Sequence, residues 1–284
     1  MVRIDSHHHL WDPATDDLPW MGDAIRPVLG KRFDVDDLRA VLAPHRIDGA
    51  VAVQAQLNLK EGRDLLALAA APGSPIVGVV AWVDLASPSV GDDLDALRAG
   101  PGGDRLVGIR HIVEDEPDPA WLLRPEVQRG IAAVHARGLV YDLLCRPPQW
   151  EETLATARAF PNGRFVLDHI AKPRIASGRD AAWFPWIAAI GALPNVDVKL
   201  SGMVTEADHR SWQPAQIRPY VDAALDAFGP ARAMYGSDWP VCLLASDYPR
   251  MIGALESAIA GLSASEQAAI MGGTAVRAYG LRVG

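Results

Sequence analysis

Residues 164–200 read RFVLDHIAKPRIASGRDAAWFPWIAAIGALPNVDVKL and contain one complete strand–helix–strand unit. The runs Arg164–Ile170 and Asn195–Leu200 are short and largely apolar, and the stretch Ala181–Leu193 between them has a helical pattern. Strands that are apolar almost throughout and are joined by a helix are typical of a parallel sheet covered on both faces. This unit therefore predicts an α/β fold.

The same alternation continues along the whole chain. Eight strands are predicted, at Val2–His7, Gly49–Ala55, Ile76–Val83, Leu106–Val113, Leu139–Cys145, Arg164–Ile170, Asn195–Leu200 and Ala233–Ser237. Helical patterns lie between and after them, at Val35–Arg46, Glu61–Ala71, Ser89–Arg98, Pro125–Arg137, Glu151–Phe160, Ala181–Leu193, Pro214–Phe228 and Tyr248–Gly261. Asp34 and the Ser263-x-x-Glu266 pattern are predicted helix N-caps.

Eight strand–helix units of about 35 residues each fill the chain as one closed (β/α)8 TIM barrel. An open doubly wound sheet is the main alternative, but no G-x-G-x-x-G follows any early strand. The sequence contains no obvious repeat or interdomain linker, so we expect residues 1–284 to form a single domain.

Composition excludes several classes of protein. The chain has 27 basic and 35 acidic residues, a net charge of −8 and no run rich in Lys or Arg, which argues against nucleic-acid binding. The longest uncharged stretch, Leu65–Val83, is interrupted by Pro72-Gly73-Ser74-Pro75 and is not expected to cross a membrane. Cys145 and Cys242 are too few for a disulfide framework, and the N-terminus shows no signal-peptide pattern, so we expect a cytoplasmic protein.

Two connections are unusually long. Residues 10–33 follow the first predicted strand, and residues 202–213 follow the seventh. Loops of this length are more often functional lids than spacers. In a barrel both would lie at the C-terminal ends of the strands, where active sites of this fold are built.

Histidines end the first predicted strand. Side chains alternate along a strand, so His7 and His9 share one face and His8 points the other way. Paired imidazoles at alternate positions suit a metal ion or a polar substrate group. The alternatives are hydrogen-bonded core histidines, or an expression-tag remnant, which the strand-like context disfavours.

Two further candidates stand at strand ends. His169 ends the sixth strand, and Asp238 follows the eighth. Asp238 could be a metal ligand, a general base or a helix N-cap. Because Pro240 follows and the next helical pattern begins only near Tyr248, the sequence argues against a simple cap.

Cations also lie at strand ends. Arg110 and His111 end the fourth strand, and alternation allows only one of them to point into the barrel. The chain has only four lysines, yet Lys172 and Lys199 both fall at strand ends, which favours ammonium groups aimed at the barrel mouth. Trp11, Trp20, Trp82, Trp212 and Trp239 could offer apolar faces to a ligand or simply pack the fold.

The ordered motifs resemble the amidohydrolase superfamily. They are Ile4-Asp5-Ser6-His7-His8-His9-Leu10-Trp11-Asp12, Gly108-Ile109-Arg110-His111, Leu167-Asp168-His169-Ile170-Ala171-Lys172-Pro173, Lys199-Leu200-Ser201-Gly202 and Gly236-Ser237-Asp238-Trp239-Pro240. They span nearly the whole chain and are most similar to the branch of sugar-lactone and pyrone-dicarboxylate lactonases.

The resemblance implies a distorted barrel that hydrolyses the ester ring of a sugar acid lactone of the L-fucono, L-rhamnono or galactono type. His7 and His9 match the family's first-strand pair, His169 its sixth-strand histidine and Asp238 its eighth-strand aspartate. The fifth strand ends Tyr141-Asp142-Leu143-Leu144-Cys145 without the histidine of two-metal members, and no bridging lysine is evident. We therefore expect no binuclear site, and either no metal or one divalent ion, zinc first, held by His7, His9, His169 and Asp238. Gly272-Gly273-Thr274 also departs from the Gly-Gly-Asn that is frequent in relatives, and only a local consequence is expected.

In the expected reaction Asp238 activates water as general base, and His7, His9 and His169 stabilise the developing oxyanion. Substrate contacts are expected from Arg110, His111, Lys172, Trp11, Trp82 and Trp239. The partner is a small lactone, with no nucleic acid or membrane, and a homo-oligomer is compatible with the sequence.

Three alternatives stay open at the level of sequence. A pyrone dicarboxylate would need the cations Arg110, Lys172 and Lys199 at the mouth. A metal-dependent decarboxylase or a lactone isomerase would use a similar set of histidines and aspartate. A non-catalytic barrel would not require His and Asp at three strand ends.

Overall fold

Eight parallel strands form the barrel, and each strand pairs with the next one along the chain. The computed structural model describes residues 1–283. The strands are β1 Ile4–His8, β2 Gly49–Val53, β3 Ile76–Ala81, β4 Leu106–Ile112, β5 Val140–Leu144, β6 Phe165–Leu167, β7 Val196–Leu200 and β8 Ala233–Tyr235. All eight predicted strands are present, which confirms the TIM-barrel prediction.

Helices follow the strands and cover the outside of the barrel. They are α1 Arg26–Leu29, α2 Val35–Leu42, α3 Leu59–Ala70, α4 Val90–Ala99, α5 Pro125–Ala136, α6 Trp150–Ala159, α7 Trp183–Gly191, α8 Met203–Glu206, α9 Pro214–Phe228, α10 Tyr248–Ile259, α11 Ala264–Ala268 and α12 Thr274–Tyr279. The predicted caps are confirmed, because Asp34 accepts from two backbone N–H groups of α2 and Ser263 forms a capping box with Glu266.

The seam between β1 and β8 closes the barrel just beyond the end of β8. The Asp238 N–H donates to the His7 carbonyl, and the His9 N–H donates to the Trp239 carbonyl, both at 2.8 Å. The buried Asp5 carboxylate strengthens this seam by accepting the Ser237 N–H at 2.8 Å. The closure itself therefore places Asp238 beside the two histidines of β1.

A layer of valines fills the barrel interior, and the C-terminal helix packs against it. Val51, Val80, Val140 and Val166 belong to the same apolar cluster as Ala275, Ala278 and Leu281. Leu281 lies so close to Gly78 that a Cβ there would meet its Cδ2 at 2.8 Å. The interior is thus a packed core, as in other barrels of this kind, and the polar groups are left to the carboxyl ends of the strands.

The sixth and eighth strands are shorter than predicted. The predicted strand Arg164–Ile170 ends at Leu167, and Asp168–Ala171 form a tight turn. The predicted strand Ala233–Ser237 ends at Tyr235. In both cases residues at the end of an apolar run leave the sheet to form the site. Within residues 1–283, no helix is both long and apolar enough to span a membrane.

Candidate active site

A cavity of about 340 Å³ opens at the carboxyl ends of the strands. This volume falls in the range of small-molecule sites, roughly 300–1,000 Å³. Its chemistry-bearing lining residues come from several strand ends and the loops beyond them: His9, Arg110, Glu114, Asp115, Arg146, His169, Lys172, Glu206, His209 and Asp238. The cavity is therefore a candidate active site in the position that the fold predicts.

Three imidazoles and one carboxylate converge at the base of the cavity, where His9, His169 and Asp238 line it and the buried His7 adjoins them. The Nε2 atoms of His7 and His9 are 3.2 Å apart. Asp238 Oδ1 lies 3.4 Å from His9 Nε2, 3.8 Å from His7 Nε2 and 3.9 Å from His169 Nε2. All four side chains are buried. The structure thus brings together the four residues that the sequence predicts as the catalytic and metal-binding set.

Hydrogen bonds fix the tautomer of His9. Its Nδ1 lies 2.8 Å from the Val53 carbonyl, which can only accept, so the proton of a neutral His9 is on Nδ1. The Nε2 lone pair then faces the centre. His169 is oriented by Ser201, whose Oγ lies 2.9 Å from His169 Nδ1.

Burial determines the charge of these groups. It lowers the pKa of His7 and His9, and it lowers the pKa of His169 to about 4. Burial alone would raise the pKa of Asp238, but the neighbouring His169 and His9 outweigh it and hold that pKa below its ordinary value. At neutral pH the site consequently combines neutral imidazoles with an ionised carboxylate, which is able to accept a proton.

The donor set fits one divalent cation. His7 Nε2 and His9 Nε2 lie 3.2 Å apart, and burial lowers the pKa of both imidazoles. Because the proton of a neutral His9 is on Nδ1, its Nε2 lone pair is free to bind a cation. His7, His9 and Asp238 present ligand atoms that lie within 4.8 Å of one another, and neutral imidazole nitrogens with a carboxylate oxygen are a donor set that zinc prefers.

A buried ion network supports His7 from below. Lys199 Nζ lies 2.7 Å from Asp142 Oδ2, 2.9 Å from Asp168 Oδ1 and 3.1 Å from His7 Nδ1. Arg110 donates to the other oxygen of Asp168 at 3.0 Å. The Lys199 side chain has no exposed surface, so the expectation that it faces the barrel mouth is wrong. Its alternation along β7 directs it into the barrel interior, where it neutralises two carboxylates.

A left-handed turn carries His169 and Lys172 into the cavity. Residues 169–172 have φ values of 52°, 47°, 61° and 50°, which is a costly conformation for residues other than glycine. Two buried tryptophans hold it, since the Trp150 indole donates to the Ala171 carbonyl at 2.9 Å and that of Trp183 donates to Ile170 at 2.7 Å. The turn therefore lowers the stability of the fold while it orients the side chains of His169 and Lys172 into the cavity.

Glycine at position 202 is required by the same turn. A Cβ at Gly202 would lie 2.6 Å from the His169 ring, and φ there is +63°. Any side chain would displace the imidazole.

Four residues predicted to contact substrate lie away from the cavity lining. His111 points outside the barrel, where it stacks on Trp121 and its Nδ1 accepts the Trp82 indole N–H at 2.9 Å. Trp11 and Trp239 are buried and pack edge-on against Phe33. The indoles of Trp11 and Trp82 and the imidazole of His111 form hydrogen bonds within the fold, so their polar atoms are not available to a substrate.

Arg110 and Lys172 do line the cavity. Arg110 is the inward-facing member of the Arg110–His111 pair, as alternation requires, and its Nε donates to Gln54 at 3.0 Å.

Sequence reasoning did not select Gln54, Ser201, Glu114 or Arg146. Each stands at or just after a strand end, which is the signal that could have identified them. Cys145 and Cys242 are buried.

Comparison with known proteins gives consistent matches. The family model described as amidohydrolase matches residues 4–281. An L-fucono-1,5-lactonase from Burkholderia multivorans is 39% identical over 99% of this chain and 96% of its own, and one from Burkholderia ambifaria is 37% identical over 87% and 83%. A crystal structure of an amidohydrolase from Burkholderia multivorans with bound zinc superimposes with a TM-score of 0.93 at 37% identity, covering 99% of this chain and 100% of the other. The resemblance drawn from the motifs is confirmed.

Proposed function

Because the chain belongs to the amidohydrolase family, we propose that it opens the ester ring of a sugar acid lactone, with L-fucono-1,5-lactone as the first candidate. The enzyme is a lactonase, a hydrolase of carboxylic ester bonds. Similarity to the two L-fucono-1,5-lactonases over most of the chain supports the choice of lactone.

One observation carries the mechanism. An ionised carboxylate, Asp238, shares the cavity floor with three neutral imidazoles at 3.4–3.9 Å. A general base must be ionised and must have a route to receive a proton from water, and Asp238 meets both requirements. Hydrogen-bond donors aimed at the developing negative charge are the other requirement for ester hydrolysis.

The reaction begins with water attacking the lactone carbonyl carbon while its proton passes to Asp238. The carbonyl oxygen becomes an oxyanion, and we assign its stabilisation to Arg110, whose guanidinium lines the cavity 3.3 Å from His7 Nε2. As the tetrahedral intermediate collapses, the bond from the carbonyl carbon to the ring oxygen breaks. Asp238 returns the proton to that oxygen, and the product is an open-chain hydroxy acid that ionises in solution.

His7, His9, His169 and Asp238 would hold a single divalent ion, with zinc preferred. When bound, such an ion supplies Lewis acidity at the carbonyl oxygen and lowers the pKa of water. We propose one ion and not two, because the Lys199 ammonium already neutralises Asp142 and Asp168 beneath His7.

The cavity suits an uncharged ring rich in hydroxyl groups. Trp20 lines one wall, with its indole N–H used by the Ala55 carbonyl at 2.8 Å. Side chains that can donate or accept hydrogen bonds line the rest of the cavity, including Thr205, His209 and Glu206. An apolar face together with several donors and acceptors is the usual surface for binding a sugar ring.

A panel of lactones tests the proposal. Proton release in weak buffer would be measured with L-fucono-1,5-lactone, L-rhamnono-, L-galactono- and D-galactono-lactones and a pyrone dicarboxylate, before and after chelation. We expect rapid hydrolysis of a sugar lactone; loss of this activity on chelation and its return with zinc would support the single ion. Absence of proton release from every sugar lactone, with zinc supplied, would overturn the proposed function.

A further inference from the structure

Three charged side chains form a cluster at the rim of the cavity. Glu114 follows β4, Arg146 follows β5, and Lys172 ends the left-handed turn after β6. Lys172 Nζ lies 2.8 Å from the Glu114 carboxylate, and Arg146 Nε lies 2.7 Å from Glu114 Oε2. One carboxylate therefore engages both cations, and all three groups line the cavity.

The cluster is built into the protein. The Glu114 side chain is only 10% exposed, and that of Lys172 14%. Burial would raise the pKa of Glu114, but Lys172 and Arg146 outweigh it and hold that pKa at about 2. Glu114 is thus ionised at neutral pH, and its carboxylate neutralises part of the charge of both cations.

The remaining cation among the described lining residues is Arg110, which lies beside His7 and is held there by Gln54 and Asp168. It is assigned to the developing oxyanion and not to a substrate carboxylate at the rim. The charged residues of the lining are three cations and four carboxylates, namely Arg110, Arg146, Lys172, Glu114, Asp115, Glu206 and Asp238. A substrate that carries its own carboxylate would meet paired cations and an excess of negative charge.

We propose that Glu114 is a specificity-determining residue, which restricts this site to uncharged lactones by occupying the two cations that would otherwise bind a substrate carboxylate. The inference rests on the proposed lactonase function and adds to it the exclusion of acidic lactones. The Lys172–Glu114 pair also binds a neutral sugar directly, because the Lys172 ammonium donates to one hydroxyl and the Glu114 carboxylate accepts from another.

The test compares the wild type with Glu114→Gln on two substrates of the same ring. One is galactono-1,4-lactone, and the other is the monolactone of galactaric acid, which differs by a carboxylate at C6. The wild type should prefer the neutral lactone. In Glu114→Gln the ratio of kcat/KM values, acidic over neutral, should rise by about tenfold or more, because Lys172 and Arg146 can then form charge-assisted hydrogen bonds to the substrate.

Two control variants distinguish a change in substrate specificity from the effect of a change in net charge and from the effect of impaired folding. Asp115→Asn makes the same charge change at the next residue, which is exposed and forms no salt bridge among residues 1–283; its ratio should change less than about threefold, because exposed charges are screened. The double variant Glu114→Gln/Arg146→Gln keeps the net charge and frees only Lys172, so its ratio should rise in the same direction by a smaller factor, even if the single variant folds poorly.

The ratio distinguishes this role from a structural one. If Glu114 only ties the loops together, Glu114→Gln will lower the melting temperature and both kcat/KM values while the ratio stays constant, and the proposal is overturned. Calorimetric titration with citrate provides a readout that does not depend on turnover: its affinity should rise about tenfold in the variant. Failure of the wild type to hydrolyse any neutral lactone would instead contradict the lactonase proposal, and the citrate titration would still decide the role of Glu114.

Discussion

Replacement of Lys199 by methionine tests the ion network beneath the catalytic centre. Methionine approximates the length of the lysine side chain but removes the charge that lies 2.7 Å from Asp142 and 2.9 Å from Asp168. All three side chains have no exposed surface, so water cannot replace the lost partner. We expect a large loss of stability together with a loss of activity through His7.

The size of the stability loss depends on which carboxylate loses its partner. Removing one partner of a buried ion pair typically costs about 3–5 kcal/mol. Asp168 keeps Arg110 at 3.0 Å, whereas Asp142 keeps only the Tyr279 hydroxyl at 2.7 Å. The cost should therefore fall mainly on Asp142, and Lys199→Met/Asp142→Asn should recover about half of the lost free energy or more.

The pH dependence of the unfolding free energy provides a second, independent test. Burial raises the pKa of Asp142 to about 6 even with Lys199 present, and removal of Lys199 raises it further. A carboxyl whose pKa is higher in the folded than in the unfolded state loses stability as the pH rises between the two values. The cost of Lys199→Met should thus increase between pH 6 and pH 8, by up to about 1.4 kcal/mol per pH unit.

Urea unfolding at pH 6 and pH 8, followed by tryptophan fluorescence, measures both effects. Lys60→Met is the matched control, because it makes the same change in an exposed pair with Asp64 and should cost less than about 1 kcal/mol. A cost below about 1 kcal/mol for Lys199→Met, independent of pH, would refute the argument that the three buried groups form an ion network.

Three further results are expected. The kcat/KM for a sugar lactone should be constant between pH 6 and pH 7.5 and fall as the pH approaches 4, because the neutral form of His169 is required and its pKa is about 4; full activity in a pH-stat at pH 3.5 would argue otherwise. Ser201→Ala removes the hydroxyl 2.9 Å from His169 Nδ1 and should lower kcat about 2- to 13-fold, with rescue by Ser201→Thr, since a net hydrogen bond is worth about 0.5–1.5 kcal/mol. Trp183→Phe leaves the Ile170 carbonyl without its indole donor and should lower the unfolding free energy by about 1–3 kcal/mol in urea titrations; an unchanged midpoint would show that the turn does not depend on it.

Much of the site could be predicted because strand ends in a parallel barrel meet at one rim. The spacing of His7 and His9, together with His169 and Asp238 at other strand ends, was sufficient to place the four side chains together. The period of alternation also placed His7 and His9 on one face of the strand, opposite His8. No knowledge of loop conformation was needed for these predictions.

The remaining features depend on backbone geometry that the sequence pattern does not encode. The turn at residues 168–172 looks like the end of a strand, since Ile170 and Ala171 are apolar, and only the tryptophan indoles that hold it show why it leaves the sheet. The contact of Glu114 with Lys172 joins two loops 58 residues apart. Trp11 and Trp239 have the right chemistry for a sugar site, but their packing against Phe33 depends on how the loops fold back.

The central claim is that Asp238 accepts the proton of the attacking water, and the most direct measurement is proton release from L-fucono-1,5-lactone by the wild type and by Asp238→Asn. Asparagine has nearly the same shape and tolerates the φ of +57° at this position, so the variant should fold normally. The account predicts a loss of about 10²- to 10⁴-fold in kcat for Asp238→Asn, with an unchanged melting temperature. A variant that folds normally and retains near wild-type turnover would contradict it.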